Sequence, residues 1–448
     1  MAVRSASLAE KIPVERMIAE LCACGLYDRH TLERLALLVN PLKDTTDIGR
    51  KERTFIEKAF VKRVQEISTQ GTVSFHALAR TPDASPGAVI TCRADNFLGY
   101  GNMGPVFAVT VKDKPFALKI YSVPQVQEMV RIHGPLGLGG MLQDLSQEES
   151  PTFLSKLGQK VLARKPASVY ARSRKIVKIH NVGQEGEYIY LLMDLLAVDT
   201  INRVDPAKLG GNLIDLVSWA TDCTLGLCQL HAEERRLHLN VRPEAFVRRD
   251  VRDSGRMPRF TFFHFPQKYP RPEGCPSLKT EFLLVDHFDT SLDVRHKGRT
   301  GLGTVGSWLF VPPEVILELL KSLKADHTRY VLERTPVDEQ RSINLKRSQM
   351  DDIWALGLTL YQFLSGGRLP FTDLHSITGM INSILLSKFD FTPIPADFRP
   401  LIQAMLCKDT KMRFQGVFEG CPESIKSRKV MAEAILYKLE VLSLGCSS

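Results

Sequence analysis

The chain has no uninterrupted apolar stretch near the ~18–20 residues that a membrane span needs. Its best run, "YIYLLMDLLAV" at 188–198, is broken by Asp194. The first residues, "MAVRSASLAEKIPVERMIAEL", carry charges every few positions, so they lack the apolar core of a secretory signal, and a cytoplasmic location is expected. The nine cysteines are odd in number and scattered, with no C-x-x-C pair. The nearest approach, "CAC" at 22–24, has the wrong spacing for a zinc knuckle. A disulfide framework and a zinc site are thereby set aside in favour of a reducing compartment. Internal repeats and low-complexity tracts are also missing. Positive charge is in excess by nine, with pI near 9.0. That excess is diffuse and has no accompanying aromatic–basic motif, which argues against a nucleic-acid partner. Hydrophobic residues at 44% and charged residues at 24% are ordinary for a globular chain and exclude wholesale disorder.

Three textures follow one another. Residues 1–80 read as a helical N-terminal region: "PVERMIAELCACGLY", "DRHTLERLALLVN" and "IGRKERTFIEKAFVKRVQEIS" space apolar residues by three and four. "TPDASPGA" at 81–88 reads as a linker. Residues 89–198 look strand-rich, with "VFAVTVKDKPFALKIY" turning at 112–115 and "IVKIHNVGQEGEYIYLLMDLL" turning at "GQEGE". Residues 199–420 are helix-rich, and 421–448 reads as a C-terminal helix. A strand-rich unit ahead of a helix-rich one predicts an α+β chain with two lobes and a cleft between them.

"LGYGNMGPVFAV" fits G-x-G-x-x-G-x-V through Gly99, Gly101, Gly104 and Val106. Glycines let a hairpin lie close over phosphates with its N–H groups turned inward. "FALK" follows, placing Lys119 on the next strand, where an ammonium can meet phosphate oxygens. Further on come "LHLNVRPEAFV", "FLLVDHFDT" opening onto Asp286, "GSWLFVPPE", "DDIWALGL" and "LCKDTKMRF". Taken singly each fragment is ordinary. In this order the set resembles the eukaryotic-type protein kinases over about Asn96 to Arg413.

The resemblance implies a bilobal protein-kinase-like fold with a small β-rich lobe and a larger helical one. It implies an ATP site made by Gly99, Gly101, Gly104, Val106, Ala117 and Lys119, with Met193, Asp194 and Leu196 at a hinge. Mg²⁺ would be held through Asp286. His238, Glu314, Asp352 and Arg413 take structural positions, with Arg413 a candidate to pair with Glu314. The glutamate that would pair with Lys119 stays open among Glu128, Glu148 and Glu149. The layout is also similar to that of the secreted rhoptry kinases and pseudokinases of apicomplexan parasites.

The departures from the family pattern fall on its chemistry. Asn240 stands where the catalytic Asp belongs, Arg242 where the Lys belongs, Ala245 where a metal-binding Asn belongs, and Leu239 where the family has Arg. A neutral amide cannot serve as a base, and a methyl group cannot bind a cation. "DHF" keeps Asp286 but puts His287 and Phe288 beside it. Asp289 and Asp250 are the nearby carboxylates that remain as stand-ins. The expectation is a pseudokinase: ATP in the cleft, phosphotransfer impaired or absent, and a regulatory role toward protein partners. The alternatives are an active atypical Ser/Thr kinase working through Asp286 and Lys119, or a nucleotide-free scaffold. Two insertions, 248–280 and 321–349, are expected partner contacts. "ARKPASVYARSRKIVK" at 163–178 gathers six basic residues without an acid and reads as a basic loop.

Overall fold

A computed structural model describes residues 62–77, 87–101, 104–122, 175–196, 213–233, 236–250, 280–284, 292–293, 308–318, 347–371 and 383–445. Residues 1–61 of the expected helical region and residues 78–86 of the expected linker lie outside these. The described part of the first region begins with a helix, α1 (62–70). Thr72–Ala77 is a strand, β1, whose side chains alternate between exposed and buried.

Six antiparallel strands form the first unit: β1, β2 (Val89–Gly101), β3 (Gly104–Val111), β4 (Lys114–Ser122), β5 (Ile179–Glu185) and β6 (Tyr188–Asp194). Their order is β1-β2-β3-β4-β6-β5, and His76↔Gln184 and Ala77↔Gly183 join β5 back to β1. The bilobal protein-kinase-like fold is corrected here. A kinase small lobe is an open sheet, whereas these strands close into a barrel because β1 pairs with both β2 and β5.

Both expected hairpins form. β3 and β4 are joined by Lys112–Asp113, with Val111 opposite Lys114 and φ of 47° and 61° at the two turn residues. Two positive φ values in a two-residue loop match the right-handed twist of the strands. β5 and β6 turn at Gly186, with Glu185 opposite Tyr188. The barrel interior is filled by side chains, among them Val73, Phe75, Cys92, Phe107, Val109, Leu118 and Ile120, with Ile67 entering from α1. Phe75 stacks on Tyr190 at 5.0 Å, and a Cβ at Gly183 would collide with its ring. The barrel is therefore a packed core rather than a container.

The remaining described residues are mostly helical. α2 (Leu213–Cys228) runs on into a π turn, Gln229–Glu233. Two short antiparallel pairs follow, β7 (Arg236–Leu237) with β10 (Leu292–Asp293) and β8 (Phe246–Asp250) with β9 (Thr280–Leu284). A short helix at 313–318 comes next, then α3 (Gln349–Leu364), α4 (Arg399–Met405), α5 (Thr410–Phe418) and α6 (Met431–Gly445). α3 is nearly all buried, and Ser348 caps it by accepting from the Met350 N–H. Within the expected C-terminal helix region, Glu423–Lys426 forms a separate short turn ahead of α6.

Leu284 ties this region to the strand leading into β5. Its N–H donates to the Lys175 carbonyl at 2.7 Å, and its carbonyl accepts from the Val177 N–H at 2.9 Å. Gly226 of α2 lies beneath, where an added Cβ would sit 2.7 Å from the Leu284 Cβ. Lys175 and Asp222 form an ion pair at 2.7 Å with almost no exposed surface.

Candidate functional site

Alternation along a strand sends successive side chains to opposite faces. Leu118 and Ile120 fill the barrel, so Ala117, Lys119 and Tyr121 lie on its outer wall. Lys119 is opposite Val106, and Val106 is opposite Gly99 on the next strand. Three of the residues singled out for phosphate binding thus share one cross-strand row. Ala117 sits opposite Met193 in the adjacent row, and Gly101 faces Gly104 where β2 meets β3. Lys119 is only 8% exposed, and its ammonium lies 4.7 Å from the centroid of the Tyr121 ring. An aromatic face attracts a cation in this position. Tyr121 is a neighbour that the motif does not name, although its place two residues after Lys119 on one strand was available to find it.

Asp194 is the last residue of β6 and is tied to β5 and the segment before it. Its carboxylate meets His180 Nε2 at 2.6 Å, and its N–H donates to the Lys178 carbonyl at 3.0 Å. Leu196, two residues on, is half-buried.

The loop 238–245 is built around Asp352, near the start of α3. One Asp352 oxygen accepts from the Leu239 N–H at 2.6 Å; the other accepts from the His238 N–H at 2.7 Å and pairs with His231 Nε2 at 2.8 Å. Burial works against the charge on Asp352, yet these bonds hold its pKa below the usual carboxylate range. Leu239 adopts φ of 60°, in the left-handed region that branched side chains avoid, and is 5% exposed. The Asn240 N–H donates to His238 Nδ1 at 3.3 Å. Asn240 is only 6% exposed, and among the described residues its Oδ1 has no hydrogen-bond partner. Arg242 precedes a 3₁₀ turn, Pro243–Ala245, and Ala245 has no exposed surface.

The Glu314–Arg413 pair is present. Arg413, with no exposed side-chain surface, donates to both Glu314 oxygens at 2.6 and 3.0 Å, to the Cys407 carbonyl at 2.8 Å, and lies over the Trp354 ring at 4.8 Å. Beside it Asp351 is paired with Arg347. Burial nevertheless raises the Asp351 carboxyl to about 6, outweighing the attraction of Arg347.

The bond that His231 makes to Asp352 was not legible in the sequence, because the π turn shifts the phase of the helix that presents it. Asp286, Asp289, Glu128, Glu148, Glu149 and the basic loop up to 174 lie outside the described residues. Asp250 ends β8, opposite Thr280, so the first insertion, 248–280, begins and ends within the β8–β9 pair.

Both Asp352 oxygens accept hydrogen bonds, the Ala245 side chain offers no oxygen, and no group of three metal-ligating side chains gathers among the described residues. None of the described helices is long and apolar enough to cross a membrane. The thiols of Cys92, Cys223 and Cys421 are pushed up by burial, Cys92 to about 12, so they are poor nucleophiles. No protein-family model and no curated protein sequence matches the chain.

Proposed function

We propose that the chain is a kinase-related module without phosphotransfer, which binds an adenine nucleotide on the outer wall of the barrel and regulates a protein partner. The observation that carries this reading is the loop around Asp352. Its backbone is held by two buried hydrogen bonds to Asp352, as a reaction centre must be held, while position 240 offers an amide oxygen unpartnered among the described residues and position 245 a methyl group. Positioning without the acidic groups supplies order but no base, and a missing base is typically worth 10²–10⁴ in rate.

The row Gly99–Val106–Lys119 supports the nucleotide half of the reading. Backbone at glycine approaches phosphate closely, and a largely desolvated ammonium pairs strongly with it. Mg²⁺ is assigned to Asp286, the metal position that keeps its carboxylate. Contacts with the partner are assigned to the insertions 248–280 and 321–349.

The test is ATP binding by calorimetry with and without Mg²⁺, alongside a phosphotransfer assay. Wild type is expected to bind ATP without transferring phosphate, and Lys119→Ala to weaken binding by roughly tenfold. Phosphotransfer by wild type that disappears in Asp286→Ala would establish an active atypical kinase instead. The burial of Lys119 against Tyr121 favours one second reading, a nucleotide-free scaffold, which absence of any ATP binding would select.

A further inference from the structure

The barrel is closed unevenly. β1 pairs with β2 over five residues, Thr72↔Arg93 to His76↔Val89, but with β5 over only two. Side chains supply the rest of that seam. Arg63 on α1 donates to the Tyr190 hydroxyl of β6 at 2.6 Å and to Glu185 of β5, and the Tyr190 hydroxyl donates to Glu185 at 2.9 Å. The Arg63 guanidinium also lies over the Tyr188 ring at 5.2 Å. One turn further along α1, Ile67 is fully buried inside the barrel. α1 passes into β1 through Gly71, whose N–H donates to the Ile67 carbonyl and whose carbonyl accepts from Ala94 of β2.

We propose that residues 62–77 act as a clasp, opening the barrel at the β1–β5 seam and thereby setting the affinity of the outer-wall row for its ligand. Only the affinity part rests on the nucleotide reading above. The route is short. β2 is the other neighbour of β1, and the same strand carries Gly99 and Gly101. Loosening β1 frees Val89–Arg93 of β2, the stretch directly ahead of the irregular β2–β3 pairing that sets Gly99 against Val106. The seam is the place to open, since two ladder pairs and a cluster containing the half-exposed Glu185 are easily replaced by water.

The experiment is hydrogen exchange with mass spectrometry on the full chain, for wild type, Arg63→Ala and Glu185→Gln, with ATP titrated into each. In Arg63→Ala the amides of 73–77, 89–93 and 183–185 are expected to exchange roughly tenfold faster, while those of α3 keep their protection. Glu185→Gln gives the same pattern at smaller amplitude and decides the matter alone if Arg63→Ala does not fold. ATP affinity falls at least threefold in step. Unchanged exchange, or acceleration spread evenly into α3, overturns the clasp. Faster exchange at the seam with unaltered ATP affinity overturns its coupling to the row. Wild type that binds no ATP refutes the nucleotide reading, and the exchange pattern then judges the seam by itself.

Discussion

Asp352 has no exposed surface, and its two oxygens accept from donors on two other segments. Removing a buried acceptor of this kind strands every donor it served. Asp352→Ala is expected to cost ~3–5 kcal/mol in urea denaturation, with Asp352→Asn costing less because one oxygen remains. Its neighbour Asp351 behaves in the opposite way with pH. A carboxyl raised to about 6 in the fold binds its proton more tightly there than in the unfolded chain. It therefore adds stability that is full below about pH 4 and lost as pH rises through about 6. Arg347, Glu314 and Asp352 are the charged groups that act on it. In Asp351→Asn the decline of Tm between pH 4 and 6 should flatten; an unchanged slope would assign it to another group.

At the scale of elements, two contacts give sharper expectations than any propensity. Lys112 and Asp113 both hold positive φ in the β3–β4 turn, a conformation that asparagine and glycine adopt at lower cost. Lys112→Asn with Asp113→Gly should raise stability by about 1 kcal/mol, read as a rise in Tm. Gly226 is in the reverse situation, since a methyl group there meets the Leu284 Cβ and the Lys175 carbonyl. Gly226→Ala should cost ~1–3 kcal/mol and loosen β9, the strand that leads toward Asp286. The hairpins were legible because strand alternation and turn residues are local signals. β1 was not: its six residues directly follow a helix, and their role depends on β5, about a hundred residues later. The outer-wall row followed from alternation once β2, β3 and β4 were placed. The Asp352 network was legible only in part, as His238 lies in the loop motif whereas His231 is brought round by the π turn.

For the whole molecule, closure of the barrel matters to the chain's behaviour in solution. An open sheet ends in two rows of unsatisfied N–H and C=O groups, which invite strands from other chains. Here β1 pairs with β2 over five residues and with β5 over two, so neither β2 nor β5 is left as a wholly free edge. A chain shortened to begin at Ala88 would bare both edges at once, along with the core positions vacated by Ile67, Val73 and Phe75. Light scattering should show that shortened chain associating at concentrations where the full chain stays monodisperse. Six residues read from sequence as part of a helical leader thus decide whether the protein is a colloidally quiet particle or a seed for its own precipitation.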